Sequence, residues 1–164
     1  MNIEKRLEEL KIILPKSSPP AGAYAKAVIL DGYAHLSGQG PRHNDGKPLT
    51  GQVPTDLSVD EAILAARNVG LYTLVALQDA IGSLDRVEQV VRTFGMVNAA
   101  PGFTEHPRVI DGFSNLFIDI FGEKGRGARS AVGMSSLPFN IPVEVEITIK
   151  LSLIHISEPT RRST

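Results

Sequence analysis

Three charged residues near the end of the chain have side chains that suit chemistry on a small organic acid. Arg129 stands at the head of one alternating pattern, and Glu144 and Glu146 lie in the next. A guanidinium keeps its proton and presents a planar fork of donors that fits a carboxylate at two points, while a carboxyl group can move protons. The alternatives are structural: an edge-strand arginine paired with a surface carboxylate, and two glutamates on a solvated strand face.

The segments that carry these residues predict two strands. In residues 143–150, valine and isoleucine alternate with polar side chains, which is typical of a strand with one buried face. A turn at residues 139–140 would make a hairpin that places Arg129 opposite Lys150, with Glu144 roughly 20 Å away along the strand. We therefore expect that Arg129 and Glu144 do not meet within one chain. A site shared between subunits would remove that difficulty.

The amino-terminal half of the chain predicts a short helix, a hairpin and a long helix. Apolar residues recur at helical spacing from Ile3 to Ile13, and Pro15 ends this segment. Two short strand-like runs flank the turn signal at residues 31–32. The longest helical pattern begins with a capping box in residues 58–61 and ends at Gly82.

The carboxy-terminal half predicts a central strand over residues 87–100, a helix with its apolar stripe from Val109 to Phe121, and two final strands. The predicted order is therefore a leading helix followed by ββαβαββ. This order predicts one α+β domain over residues 1–150, with residues 1–14 as an extra helix and both long helices on one face of a mixed sheet. The other face of this two-layer sandwich needs cover, which favours packing against other copies of the chain.

Composition excludes several classes of protein. The chain has 164 residues, 42 % of them hydrophobic, and a formal net charge of -1, so phosphate-driven binding of nucleic acid has little support. There is no cysteine, and four scattered histidines lack zinc-type spacing, so we expect neither thiol chemistry nor a metal site. The first residues alternate charged and apolar side chains, unlike the uninterrupted apolar core of a signal peptide, and no apolar run of membrane length follows. We expect a soluble, cytoplasmic protein that binds no membrane.

The last residues do not continue the strand pattern. Residues 151–164, LSLIHISEPTRRST, neither extend the alternation nor predict a helix. Residues 151–161 resemble the translation of a transposase sequencing adapter. We interpret residues 151–164 as a non-native tail without function, and the alternative is a disordered basic tail that binds acidic partners.

The segment 127–147, GARSAVGMSSLPFNIPVEVEI, resembles the signature of the RidA family, also called YjgF-type enamine/imine deaminases. The ARS, LP and VEVE elements stand at the family's spacing. Residues 19–41, with a tyrosine, a strand and SGQ, and GQVP at residues 51–54 are also similar, so that the resemblance covers about residues 14–149. It implies the chorismate-mutase-like fold and a homotrimer around a central β-barrel, with three clefts between subunits.

The resemblance also implies an activity, the hydrolysis of short-lived 2-imino or enamine acids to 2-keto acids and ammonia. Carried over to this chain, it implies that Arg129 holds the substrate carboxylate and that Glu144 positions a water or moves protons. Tyr24 and Ser37 would line the same cleft. An imine carbon is already electrophilic and mainly needs orientation, a placed water and proton transfer, so no cofactor is expected.

The chain departs from the family pattern at several positions. Ala131 stands where family deaminases often carry a cysteine, and Ser114 aligns with a substrate-binding asparagine, although Asn115 is its neighbour. The long insertion in residues 92–113 is typical of a longer subgroup with the sequence VNAAPGF. His106 within it could move protons near neutral pH, or it could be an exposed loop histidine.

Three hypotheses for function follow. The first is a trimeric imine deaminase acting on small carboxylate substrates, and the second is a non-catalytic trimer that binds small carboxylates or serves as an interaction module. The third is an endoribonuclease of the L-PSP type, which would need a basic groove. The compact basic group near the site is Lys124, Arg126 and Arg129, and a helix C-terminus attracts such cations in any case.

Overall fold

A five-stranded mixed sheet with two long helices on one face forms the fold of residues 2–153, which are the residues described by the computed structural model. The elements in chain order are α1 (Ile3–Glu9), β1 (Ala27–Leu30), β2 (Tyr33–Gln39), α2 (Val59–Ile81), β3 (Val87–Asn98), α3 (His106–Phe121), β4 (Ala128–Met134) and β5 (Val143–Leu151). The predicted α+β class and the predicted order of elements are confirmed.

The strand order in the sheet is β1-β2-β5-β3-β4. Strands β3 and β4 are parallel, and the other neighbours are antiparallel. The prediction that β4 and β5 form a hairpin is wrong, because β3 lies between them and Arg129 pairs with Thr93 rather than with Lys150. A parallel pair needs a crossover, and α3 provides it between β3 and β4.

The turn between β1 and β2 and both ends of α2 lie where local sequence signals predict them. The β1-β2 turn places Asp31 and Gly32 at φ values of 51° and 81°, the left-handed conformations of a type I′ hairpin. Both hydrogen bonds of the Ser58–Glu61 capping box are present at the start of α2. Gly82 ends α2 at a φ of 83°, as glycine commonly does at helix C-termini.

The leading helix is shorter than the apolar pattern predicts. Lys11 adopts a φ of 57°, which α1 cannot continue through, and Ile13 is 89 % exposed. Ile3 and Leu7 are buried, and the backbone N–H of Ile3 donates to Asp85 Oδ1 at 2.7 Å. Leu10 is partly buried against the core as well, so that Ile13 alone of the predicted stripe points into solvent.

The core lies between the helices and one face of the sheet. It includes the apolar stripe of α3 and the alternate residues of β5: Val109, Phe113, Leu116, Phe117, Ile120, Phe121, Val143, Val145, Ile147 and Ile149. Strand β5 continues to Leu151, which is 4 % exposed and pairs with Val87. The strand thus includes the first residue of the segment that we interpreted as a tail, most of which lies outside the described residues.

Alternation along β5 decides what faces away from the helices. Because the apolar residues of β5 point into the core, Glu144 and Glu146 lie on the opposite face of the sheet. Met96 of β3 pairs with Glu144 and shares that face. Leu137 and Ile141 pack on Met96 in a second, small apolar cluster, so the connection between β4 and β5 folds over this end of the open face.

Close contact between α2 and α3 depends on a glycine in α3. A Cβ atom at Gly112 would overlap the carbonyl oxygen of Ile63 and would lie 2.9 Å from its carbonyl carbon. Backbone atoms inside a helix cannot rotate aside as the end of a side chain does. The contact fixes α3 against α2 and thereby sets the position of α3 above β3 and β4.

Gly112→Ala should lower the free energy of unfolding by about 1–3 kcal/mol, because the added methyl group overpacks the helix contact. Alanine is otherwise the better helix former by about 1 kcal/mol, so a loss of stability reports the overlap. Urea unfolding followed by circular dichroism measures this. Gly22→Ala is the control, since the nearest atom to its added Cβ is 3.5 Å away. A Gly112→Ala variant as stable as the native protein would contradict the close contact.

Candidate active site

A cavity of about 450 Å³ lies on the sheet face opposite the helices. Its walls come from the loop before β1, the end of β2, the loop after β2, the turn before β5, and β5 itself. Tyr24, Ser37 and Glu144, three of the residues predicted to form the site, line it together, and Glu146 lines it as well. The fold therefore brings these four side chains to one space although they are far apart in the sequence.

Tyr24 lies in the loop before β1, and Ser37 of β2 forms a hydrogen bond with the same loop. The Tyr24 hydroxyl oxygen accepts from the backbone N–H of Ala21 at 3.2 Å, and the Ser37 hydroxyl donates to the carbonyl of Ala25 at 2.6 Å. The Tyr24 proton remains available as a donor, whereas the Ser37 oxygen remains available as an acceptor. The two hydroxyl groups thus offer opposite hydrogen-bonding functions to a bound molecule.

The Glu144 carboxyl lies directly over the backbone of Gly38. A Cβ atom at Gly38 would be 2.8 Å from Glu144 Oε2 and 3.0 Å from Cδ, so glycine leaves the space that the carboxyl occupies. Glu144 is half-buried, and this burial raises the pKa of its carboxyl, with a further increase from the charge of Glu146. Glu144 therefore holds a proton more readily than an ordinary glutamate.

Arg42 also lines the cavity, and reasoning from the sequence missed it. Its Nη1 donates to the carbonyl of Gly46 at 2.8 Å, and its backbone N–H donates to Asn68 Oδ1 at 2.8 Å. Within residues 2–153, no carboxylate forms an ion pair with it. The turn-rich composition around Arg42 predicts only a loop. The position of Arg42 shortly after the end of β2 is the one sequence signal that could have identified it as a site residue.

Arg129 does not line this cavity in the same chain. It lies on edge strand β4, and its Nη1 donates to Asp111 Oδ1 at 2.7 Å and to Ser114 Oγ at 3.2 Å. Nη2 donates to the carbonyl of Pro107 at 3.3 Å. The side chain, 23 % exposed, is thus held against α3. This is the edge-strand ion pair that we named as the alternative for Arg129.

The structure groups the remaining predicted residues with Arg129 rather than with Glu144. Ser114 contacts the guanidinium, whereas its neighbour Asn115 is exposed. Ala131 lies two residues beyond Arg129 on the same face of β4. The site predicted from the sequence is therefore divided, within one chain, between the two faces of the sheet.

His106 begins α3 and is half-buried rather than exposed in a loop. Its ring makes an edge contact with the ring of Phe103, with the centroids 5.1 Å apart. A Cβ atom at Gly133 of β4 would lie 2.6 Å from His106 Nε2. His106 therefore packs beside the same edge strand as Arg129, and it does not line the cavity that contains Glu144.

The described residues offer neither a cluster for a metal ion nor a helix that spans a membrane. Across residues 2–153, no cluster of three or more histidine, cysteine, aspartate or glutamate side chains is placed to hold a metal ion. Among the helices in this range, none combines the length and the apolar composition needed to cross a membrane.

Known proteins share this fold over nearly the whole chain. A solved structure of a putative endoribonuclease from Shewanella oneidensis superposes with a TM-score of 0.87 and is 33 % identical, over 92 % of this chain and 100 % of that one. The structure of Atu1372 from Agrobacterium tumefaciens gives a TM-score of 0.82 and 37 % identity, over 92 % of both chains.

Sequence comparison agrees with the structural comparison. The chain is 40 % identical over 151 residues to protein TCP17 of Trypanosoma cruzi, which covers 92 % of this chain and 94 % of that protein. Residues 4–151 match the sequence profile of the family described as "YjgF/chorismate mutase-like, putative endoribonuclease". The predicted membership of the RidA/YjgF family is confirmed, and the chain belongs to the YjgF/chorismate mutase-like family.

Proposed function

We propose that the protein hydrolyses small 2-imino or enamine acids to 2-keto acids and ammonia in the cavity lined by Tyr24, Ser37 and Glu144. The observation that carries the proposal is the half-buried Glu144 carboxyl, which has a raised pKa and faces a cavity that also contains a tyrosine hydroxyl. Pairs of proton-transferring groups at one cavity are typical of active sites.

The reaction moves both protons of the attacking water to the nitrogen, and one carboxyl can carry them in turn. In its ionised form, Glu144 takes a proton from the water that adds to the C=N carbon. In its protonated form, it returns the proton to the nitrogen, which gives a carbinolamine. Glu144 then takes the proton of the new hydroxyl group and passes it to the nitrogen, so that the carbonyl forms, the C–N bond breaks and ammonia leaves. A pKa that moves toward the working pH populates both forms, which favours general acid–base catalysis. Tyr24 donates a hydrogen bond to the developing oxygen or nitrogen.

We assign the substrate carboxylate to Arg129 of a neighbouring protomer in a homotrimer. Arg129 and Glu144 lie on different faces of the sheet, so a second copy of the chain is required to bring them together. The three hydrogen bonds of Arg129 leave two of the five guanidinium N–H donors without a partner among the described residues. An incoming carboxylate uses these donors while Asp111 keeps the guanidinium in place.

A second candidate is the binding of a small carboxylate without catalysis. Ala131 favours it, because the chain lacks the cysteine that family deaminases often carry near the arginine. The endoribonuclease function is less well supported by the cavity, although relatives are described in that way. Its charged lining residues are Arg42, Glu144 and Glu146, and one arginine falls short of the basic groove that a phosphate backbone requires.

Imine hydrolysis tests the proposal directly. We expect the protein to accelerate loss of 2-iminopropanoate, generated in place by an amino-acid oxidase and followed by trapping with semicarbazide. Glu144→Gln should lower kcat by about 10²–10⁴-fold, as expected for loss of a general acid–base group. Arg129→Ala should lower kcat/KM by about tenfold or more, because it removes the charged anchor for the substrate carboxylate.

Arg126→Ala is the matched control, since Arg126 is exposed and pairs with Glu123 outside the cavity. It should leave the rate unchanged. Absence of any acceleration by the native protein would contradict the proposal. If the protein instead binds 2-ketobutyrate and Arg129→Ala abolishes that binding, the non-catalytic function takes its place.

The raised pKa of Glu144 also predicts how stability varies with pH. Below the ordinary value of 4.5, the carboxyl is protonated in both the folded and the unfolded chain. As the pH rises, the unfolded chain releases this proton first, so Glu144 lowers the free energy of unfolding, and the effect is complete above the folded pKa. Glu144→Gln removes this loss in the free energy of unfolding.

We therefore expect the stability of Glu144→Gln, relative to the native protein, to increase between about pH 4 and about pH 8. Urea unfolding at both pH values measures it, with Glu88→Gln, at an exposed position of β3, as the control for removing a carboxyl. A relative stability that is the same at both pH values would show that Glu144 ionises as easily in the folded chain as in the unfolded one.

A further inference from the structure

The cavity contains a positive charge that the proposed reaction does not use. Arg42 lines the cavity together with Glu144. Within residues 2–153, Arg42 is the one lining residue with a positively charged side chain. Arg129, which the proposed function assigns to the reacting carboxylate, is bound by Asp111 on the other face of the sheet. The cavity therefore has its own cation, independent of the neighbouring protomer.

The segment that carries Arg42 is held firmly in place. Its backbone N–H donates to Asn68 Oδ1 on helix α2, and Arg42 forms an isolated antiparallel bridge with Pro48. The guanidinium bonds the carbonyl of Gly46 through Nη1 at 2.8 Å, which uses one of its five N–H donors. Because a carbonyl carries no net charge, the positive charge of Arg42 is not neutralised by this contact.

The cavity is larger than the smallest 2-imino acids require. At about 450 Å³, it falls within the range of pockets that enclose drug-sized molecules. A three-carbon imino acid would occupy a small part of it. There is room for a substrate whose chain extends from the reacting carbon toward a second binding group.

We infer that the preferred ligand of this cavity is an imino acid with a second carboxylate at the far end of a short chain, and that Arg42 binds this distal carboxylate. The inference rests on the proposed function and names its substrate class. A planar guanidinium with free donors is the side chain best suited to two-point binding of a carboxylate. Burial of Glu144, which favours its protonated form, reduces the repulsion that a second negative charge would meet.

The test compares two imines that have the same reacting group, one with a distal carboxylate and one without it. We generate 2-iminoglutarate with glutamate oxidase and 2-iminopropanoate with an amino-acid oxidase, and measure kcat/KM for both with the native protein and with Arg42→Ala. We expect the native protein to prefer 2-iminoglutarate by about tenfold or more. Arg42→Ala should remove that preference and leave kcat/KM for 2-iminopropanoate within about twofold of the native value.

Two further variants distinguish the effect of the Arg42 charge from an effect on the fold. Arg42→Lys keeps the charge but loses the two-point geometry, so it should retain an intermediate preference. Arg67→Ala, at an exposed position of α2, is the control for removing an arginine and should change neither substrate. If Arg42→Ala lowers the rates for both imines equally, Arg42 supports the fold rather than the distal carboxylate, and the inference is overturned.

The outcomes also distinguish this inference from the proposed function. Equal hydrolysis of both imines by the native protein would overturn the inference and leave the proposed function intact. Hydrolysis of neither would overturn the proposed function, and calorimetric binding of 2-oxoglutarate and pyruvate would then decide the inference. Tighter binding of 2-oxoglutarate that Arg42→Ala abolishes would support it, and equal binding would overturn it.

Discussion

The alternation of side chains along β5 is the constraint on which the candidate site depends. Valine and isoleucine at every second position are buried between the sheet and the two helices, so the intervening Glu144 and Glu146 must lie on the other face. A shift of one residue in register would place two carboxylates in the core, which is prohibitively costly. Packing of the core therefore fixes which way Glu144 points, and Gly38 provides the space beside it.

The same constraint separates Arg129 from Glu144. Arg129 lies on the helix side of β4 and is bound by Asp111 and Ser114 of α3, whereas Glu144 lies on the open side of β5. Side chains on opposite faces of one sheet cannot hold the same small molecule. Any reaction that uses both residues must therefore be shared between copies of the chain, while Tyr24, Ser37 and Arg42 are already grouped with Glu144 within one copy.

Local sequence signals predict much of the fold, whereas the wrong predictions concern the pairing of segments that are far apart in the sequence. The capping box at Ser58 and the turn at Asp31 depend on neighbouring residues, and both were predicted. The pairing of β4 was not, because β4 joins β3 in parallel through α3, and no local pattern distinguishes this from a hairpin. Arg42 was missed for the same reason, since only the folded chain brings its loop beside β5.

Direct titration of the Glu144 carboxyl by ¹³C NMR, assigned by comparison with Glu144→Gln, tests the central claim most directly. The account predicts a pKa above the ordinary value of 4.5 in the free protein, and a further change when a 2-keto acid fills the cavity. A carboxyl that titrates at the ordinary value and does not respond to the 2-keto acid would contradict it, because Glu144 would then be a solvated side chain on an ordinary strand face.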